Sequence, residues 1–169
     1  RRILVLGAGQ SSPFLIEKLL EDAEGQDWHV TVADRDGARA SARVDGHRRG
    51  EGLAFDVNDL GRLGTLVRDS NVVVNFLSPV FQHRVARTCV EHGVHMVSAS
   101  YRDQRLRELD AEAKRRGCVI VNEAGLDPGI DHMSAMELID RVRAGGGRIL
   151  KFASYGSGVP AAGEPSNQL

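Results

Sequence analysis

The 169 residues of the chain are enough for one good hydrophobic core, so we expect one domain and a fragment of a second. With 22 basic and 23 acidic residues the net charge is −1, which argues against proteins that bind nucleic acids or membrane surfaces through a basic excess. No apolar run approaches the length of a membrane span, and the two distant cysteines, Cys89 and Cys118, favour a reducing cytoplasm over a disulfide framework.

Short apolar runs and amphipathic segments alternate along most of the chain. The runs with the length and composition of β-strands are residues 3–6, 29–33, 53–57, 72–77, 94–98 and 118–121. The segments with helical spacing are residues 14–20, 80–92 and 106–116. This alternation predicts an α/β fold of the Rossmann type, with a doubly wound parallel sheet that carries helices on both faces.

A glycine-rich turn at residues 7–12 follows the first strand directly and precedes a helix. Gly7 permits the tight turn, and Gly9 leaves room for a pyrophosphate to approach the backbone and the positive end of the helix dipole. Ser12 stands where the usual fingerprint has a third glycine, and Pro13 suits the first turn of a helix. We therefore predict dinucleotide binding, while a plain strand-to-helix turn is the alternative.

The second strand ends at Asp34, whose carboxylate can accept both hydroxyls of the adenosine ribose and repel a 2′-phosphate. This position favours NAD as the cofactor. NADP stays possible, since Arg35 at the same edge can hold a phosphate. Asp34 can also simply begin the turn that continues to Gly37.

The pattern changes after residue 121. Residues 122–130 contain Gly125, Pro128 and Gly129 and predict a turn-rich junction. A helix over residues 130–144 and a strand over residues 148–155 follow. Because the tail at 156–169 shows neither pattern and the chain lacks an initiating Met, we expect a longer protein, and the immediate first strand leaves no room for a signal peptide.

The junction sequence Asn-Glu-Ala-Gly-Leu-Asp-Pro-Gly-Ile-Asp-His-Met at residues 122–133 resembles that of saccharopine dehydrogenases of the glutamate-forming type. The other stretches that agree with this family are residues 7–12, 53–57, 96–101, 154–155 and 158–161. They occur in the right order, so the resemblance covers nearly all of the chain. The run at 125–132 is its most specific part.

The resemblance implies a Rossmann dinucleotide-binding domain at residues 1–129 and the beginning of an inserted α/β substrate and dimerisation domain at 130–169. It implies a homodimer formed through the remainder of that second domain. It also implies an enzyme of lysine metabolism that interconverts saccharopine with glutamate and 2-aminoadipate 6-semialdehyde. Hydride transfer to NAD(P) at a C–N bond gives an imine, which water then splits.

The resemblance further implies residue roles at the carboxyl ends of the strands. The residues assigned to the cofactor by position or resemblance are Gly7, Gly9, Gln10, Ser11, Ser12, Asp34, Arg35, Asp36, Asp56, Val57, Leu77, Ser100, Leu126 and Pro128. Ser100, Tyr101 and Asp127 are implied to face the substrate, and each follows a predicted strand end, where doubly wound sheets bind ligands.

The catalytic candidates are Asp127 and Tyr101. Amine oxidation and imine hydrolysis need an acid or base near the working pH, and burial of Asp127 beside the nicotinamide would adapt it to this role. Asp127 as a group that only positions the substrate amine is equally compatible with the sequence. Tyr101 suits a binding hydroxyl better, since its unperturbed pKa is about 10. His132 suits a structural role, and no histidine has metal-ligand spacing.

Two stretches depart from the family pattern. Residues 76–79 read Phe-Leu-Ser-Pro where members often have Leu-Ile-Pro-Tyr, and residues 155–158 read Tyr-Gly-Ser-Gly where many have Tyr-Cys-Gly-Gly. A role proposed for that cysteine therefore cannot apply to this chain. The alternatives are a related imine reductase of the carboxynorspermidine or homospermidine type and a redox-sensing module that binds NAD(P) without chemistry.

Overall fold

The computed structural model describes residues 1–156, and the family-like stretch at 158–161 lies outside them. The strands are β1 (Arg2–Leu6), β2 (His29–Asp34), β3 (Gly50–Ala54), β4 (Val72–Asn75), β5 (His95–Ser98) and β6 (Ile120–Val121). The helices are α1 (Pro13–Ala23), α2 (Gly37–Val44), α3 (Leu60–Arg68), α4 (Gln82–His92), α5 (Asp110–Arg116) and α6 (Ile130–Ala144), with short 3-10 helices at Pro79–Phe81 and Gln104–Leu109.

The six strands form one parallel sheet in the order β3-β2-β1-β4-β5-β6. The predicted Rossmann-type α/β fold is thereby confirmed. The chain changes direction across the sheet between β1 and β4, and ligands of such sheets bind at this switch point, outside the carboxyl ends of the strands. The turn at residues 7–12 leaves β1 at that point.

The side chains of β1 point alternately to the two faces of the sheet and contribute to the core on both. Leu4 and Leu6 are buried on one face with residues of α3 and α4, whereas Val5 is buried on the other with Ile16 of α1. Successive side chains of a strand point to opposite faces, so a continuous apolar strand is covered twice. This double cover fixes β1 and hence the turn that follows it.

β3 lies further toward the N-terminus than the sequence pattern predicts. The strand runs over Gly50–Ala54 rather than 53–57, and Phe55 and Val57 are buried in the core after the strand has ended. Residues 148–155 form no strand, so that prediction is wrong. Cys89 and Cys118 are both free and buried, and Cys89 packs in the core as its apolar helix position indicates.

α6 covers the residues 130–144 that the helical pattern predicts, but none of its side chains is buried. Its exposed apolar side chains are Ile130, Met133, Met136, Leu138 and Val142. The division between residues 129 and 130 stays a prediction. Within residues 1–156, no helix combines the length and the apolar character that a membrane span requires.

Candidate functional site

The turn after β1 has the geometry that a bound phosphate needs. Gly7 has a φ of +101°, and a Cβ atom there would lie 3.2 Å from the carbonyl carbon of Phe76 at the end of β4. A side chain at this position would therefore meet both backbone strain and a crowded neighbour. A Cβ atom on Gly9 would meet no atom within 4 Å, so the space beside Gly9 is open.

The exposed part of the turn presents unpaired donors. The backbone N–H groups of Gly9, Gln10 and Ser11 have no hydrogen-bond partner among residues 1–156, whereas the Gly7 N–H donates to the Ala33 carbonyl at 2.8 Å. All three unpaired residues are exposed and lie just before Ser12, the N-cap residue of α1. Such N–H groups at a helix N-terminus are the usual ligands of a phosphate.

Ser12 stabilises the turn through a hydrogen bond within it. Its side chain is fully buried, and its hydroxyl donates to the Gly9 carbonyl at 2.9 Å. The hydroxyl therefore supports the turn, and the serine in the third fingerprint position has a local structural use. The contact of Ser12 with a pyrophosphate stays a prediction.

Asp34 contacts the same turn. Its Oδ2 accepts a hydrogen bond from the Ala8 N–H at 2.7 Å, and its Oδ1 accepts one from the Asp36 N–H at 2.9 Å. Each oxygen keeps a second lone pair, so these bonds leave room for the predicted ribose contact. Asp36 caps α2 by accepting from the Arg39 N–H at 3.0 Å, and Arg35 is exposed.

The ends of β3 and β4 carry three more of the residues assigned to the cofactor. Asp56 is exposed and accepts from the Asn58 N–H at 2.9 Å, whereas the Val57 side chain is only 7% exposed and belongs to the core. A contact of Val57 with adenine would thus involve its backbone. Leu77 is half-buried against the same core, and its N–H donates to Asn75 Oδ1 at 3.2 Å.

The junction brings the candidate substrate residues to neighbouring loops. The Glu123 N–H donates to the Ser100 carbonyl at 3.1 Å, and a Cβ atom on Gly125 would lie 3.2 Å from the Ala99 Cβ. The loop then folds back on itself, with the Gly125 N–H donating to the Pro128 carbonyl at 3.0 Å. The loops that carry Ser100 and Asp127 are therefore adjacent.

Asp127 and Tyr101 are both exposed, as is Leu126, whereas Pro128 is buried. The described residues thus do not supply the burial that we expected for Asp127. A Cβ atom on Gly156 would lie 2.9 Å from Asp127 Oδ2, so the chain returns to this carboxylate after α6. Position 156, where the family resemblance implies a cysteine, lies directly beside Asp127 and carries no side chain here.

Two polar residues that sequence reasoning missed hold the loops of the site. Gln82, buried at the start of α4, donates through Nε2 to the Tyr101 carbonyl at 3.0 Å and to Asn122 Oδ1 at 2.8 Å. Arg43 donates through Nε to the Ala8 carbonyl at 3.2 Å. A polar residue on a helix reads as solvent-facing in a sequence, and only the packing reveals these contacts.

An ion pair marks the start of α6. Asp131 Oδ1 lies 2.8 Å from His132 Nδ1 and also accepts from the Gly129 N–H at 2.7 Å. The hydrogen bond to Asp131 raises the pKa of His132, and the carboxylates of Glu123 and Asp127 act in the same direction. The hydrogen bond from His132 lowers the pKa of Asp131. His132 thus belongs to an acidic cluster beside the candidate site.

Comparisons with known proteins agree with this architecture. Residues 3–121 match the family model described as saccharopine dehydrogenase NADP binding domain, and residues 125–169 match the saccharopine dehydrogenase C-terminal domain. A relative is the saccharopine dehydrogenase [NADP(+), L-glutamate-forming] of Schizosaccharomyces pombe, 33% identical over 99% of this chain and 36% of its own length. Another is the α-aminoadipic semialdehyde synthase of Arabidopsis thaliana, 37% identical over 88% of this chain and 14% of its own.

A solved structure is similar to most of the described fold. The apo saccharopine dehydrogenase (L-Glu forming) of Saccharomyces cerevisiae superposes with a TM-score of 0.78 at 33% identity. The match covers 86% of this chain and 32% of the yeast chain. The present chain thus spans about a third of the length of the fungal relatives that it matches.

Proposed function

Because the chain belongs to the saccharopine dehydrogenase family, we propose that it supplies the dinucleotide site of an NAD(P)-dependent oxidoreductase of lysine metabolism. The enzyme interconverts saccharopine with glutamate and 2-aminoadipate 6-semialdehyde. The observation that carries the proposal is the turn after β1, where unpaired N–H groups of Gly9, Gln10 and Ser11 border the open space at Gly9. The family-like junction after β6, at the same carboxyl-end edge of the parallel sheet, supports the same assignment.

The proposed chemistry divides between the cofactor and the chain. Acceptance of hydride from the carbon of a C–N bond is what a bound NAD(P) supplies. Asp127 would take the proton from the secondary amine or hold that amine in place, and Tyr101 would donate a hydrogen bond to the substrate. Ser100 on the adjacent loop would add a second polar contact. Their loops are joined through Gln82 and the Ser100–Glu123 hydrogen bond.

We propose NAD as the preferred cofactor, because the Asp34 carboxylate at the end of β2 would repel a 2′-phosphate. The S. pombe relative carries NADP(+) in its name, and Arg35 is the residue of this chain that could hold the extra phosphate. Steady-state kinetics with both cofactors decide between these assignments. A tenfold preference for NADP, about 1.4 kcal/mol, would refute the proposed role of Asp34.

We also propose the division into a dinucleotide-binding domain at 1–129 and the start of a substrate domain at 130–169. The two family matches meet between residues 121 and 125, and α6 buries no side chain against the sheet. The remaining proposals are a homodimer, formed through the substrate domain, and a cytoplasmic location, which two free cysteines suit.

The decisive experiment is an assay of the full-length protein with a panel of substrates. We expect saccharopine to reduce NAD(P)⁺ with formation of glutamate, and the reverse reaction to consume NAD(P)H. Turnover of carboxynorspermidine or homospermidine precursors instead would identify a related imine reductase. Tight cofactor binding without turnover of any amine would identify a non-catalytic NAD(P)-binding module.

A further inference from the structure

Arg43 lies on α2, yet its side chain reaches the turn after β1. Its Nε donates to the Ala8 carbonyl at 3.2 Å. The side chain is half-buried and lines a groove of about 460 Å³ between α1 and α2, together with Pro13 and Glu17. Within residues 1–156 no ion pair involves Arg43, and its side chain hydrogen-bonds to this carbonyl. The guanidinium is thus directed at the turn rather than at a carboxylate on the surface.

Ala8 is therefore held on both sides. Its N–H donates to Asp34 at the end of β2, and its carbonyl accepts from Arg43 at the far end of α2. Both bonds involve a charged side chain, and hydrogen bonds to ionised groups are stronger than those between neutral groups. Residue 8 itself is buried, and both hydrogen bonds are partly buried.

The bond from Arg43 fixes the direction of the next donor. The peptide group between Ala8 and Gly9 is trans and planar, so its carbonyl and its N–H point in opposite directions. A carbonyl directed at Arg43 thus points the Gly9 N–H away from Arg43, and this N–H has no hydrogen-bond partner among residues 1–156. We infer that Arg43 is a positioning residue for the cofactor, which orients the Gly9 N–H toward the pyrophosphate.

Ser12 fixes the orientation of the next peptide group, between Gly9 and Gln10. Its hydroxyl holds the Gly9 carbonyl at 2.9 Å, which directs the Gln10 N–H outward by the same geometry. Donors that are oriented before binding avoid the entropic cost of ordering the loop in the complex. The inference rests on the proposed dinucleotide site, and it assigns to Arg43 an effect on every ligand that carries a pyrophosphate.

The test compares Arg43→Met with the wild type in the full-length protein. Methionine keeps an unbranched apolar stem in the groove and removes the donor. Arg68→Met is the matched control. Arg68 also lies at the carboxyl end of its helix, α3, but it pairs with Asp69 and not with the loop at residues 7–12. We expect Arg43→Met to weaken the binding of NADH, NADPH and ADP-ribose alike by roughly tenfold, about 1.4 kcal/mol. Arg43→Lys, which restores a donor, should recover part of the loss.

Adenosine, which has no pyrophosphate, separates orientation of the turn from damage to the whole site. Its inhibition constant should be the same for Arg43→Met and the wild type, and Arg68→Met should change no affinity. The inference is overturned if the dinucleotide affinities of Arg43→Met stay within twofold of the wild type. It is also overturned if only NADPH binds more weakly, or if adenosine loses as much affinity as the dinucleotides. These results leave the proposed function intact, whereas a wild type that binds neither dinucleotide overturns both.

Discussion

Asp127 is the carboxylate on which the proposed chemistry depends. If it accepts a proton, Asp127→Asn in the full-length enzyme should lower kcat by roughly 100- to 10,000-fold, the usual effect of losing a general base. The acidic limb of the pH–rate profile should then move or vanish. If Asp127 only positions the substrate amine, KM should rise while kcat changes less.

Steady-state kinetics across pH distinguish the two roles of Asp127. Asp110→Asn is a suitable control, since Asp110 is exposed on α5 and pairs with Lys114. If neither kcat nor KM of Asp127→Asn changes by more than twofold, Asp127 lies outside the active site.

The Asp131–His132 pair gives a second residue-scale prediction, on pH dependence. Because the pKa of His132 is raised, its contribution to stability is present below the unfolded value of about 6.5 and is lost as pH rises through the folded value. Because the pKa of Asp131 is lowered, its contribution is lost as pH falls through its folded value. The pair should thus stabilise the fold most between about pH 4 and 6.5.

NMR titration of the His132 ring checks this. Its pKa should lie above about 6.5 in the wild type and fall toward that value in Asp131→Asn. Asp140→Asn, on the same helix α6, should leave the titration unchanged. An unchanged His132 pKa in Asp131→Asn would show that the ion pair does not form in solution.

The contact between α2 and β3 sets the position of the helix that carries Arg43. A Cβ atom on Gly52 would lie 2.5 Å from the backbone of Ser41, so the helix packs directly on the strand backbone. Gly52→Ala must push α2 outward, and we expect a loss of about 1–3 kcal/mol in the free energy of unfolding, as for other overpacked sites.

Urea denaturation of the full-length protein measures this loss. Gly25→Ala is the control, because its Cβ atom would lie 3.9 Å from the nearest atom, the Asp22 carbonyl oxygen. Equal stability of the two variants would contradict the close packing of α2 on β3.

This contact also explains what the sequence pattern could not predict. The β3 sequence Gly-Glu-Gly-Leu-Ala is poor in the β-branched residues that mark a strand, because its glycines make room for α2. The apolar run that was read as the strand continues to Val57, whose side chain enters the core from the loop. α2 and α3 are short and show no clear helical pattern in the sequence. β1 and β4 are nearly continuous apolar runs, and the predicted ends of β1, β4 and β5 all lie within two residues of the observed ones.

The candidate site was predictable to a similar degree. The roles of the turn at residues 7–12 and of Asp34 are predictable because both come directly after strands, and every sheet of this type binds its ligand at the carboxyl ends of the strands. The supporting bonds from Arg43 and Gln82 come from helices whose positions depend on packing. A residue that reaches a distant loop leaves no periodic signal in the sequence, so these contacts are visible only in the folded structure.

Across the whole molecule, the proposed pyrophosphate turn after β1 and the proposed proton-transfer residue Asp127 after β6 lie at different strand ends, so their effects on binding and turnover should be separable. Dinucleotide at 100 times its Kd stabilises a protein by about 2.7 kcal/mol, which raises Tm by about 5–10 °C for a domain of this size. Gly9→Val should lose this shift, because the valine side chain fills the space that the pyrophosphate needs. The unliganded Tm should change little, since no atom lies within 4 Å of the Cβ position.

Asp127→Asn should keep the full thermal shift with NADH while it loses turnover. The two variants in the full-length protein therefore serve as controls for each other, because Gly9→Val should lose cofactor binding and Asp127→Asn should lose turnover. Calorimetry with NADH and NADPH, beside the kinetic assay, measures both properties on the same samples. Undiminished affinity in a folded Gly9→Val variant would refute the placement of the pyrophosphate. Loss of the shift in Asp127→Asn would mean that the Asp127 carboxylate itself holds the cofactor, and its proposed role in proton transfer or substrate positioning would be wrong.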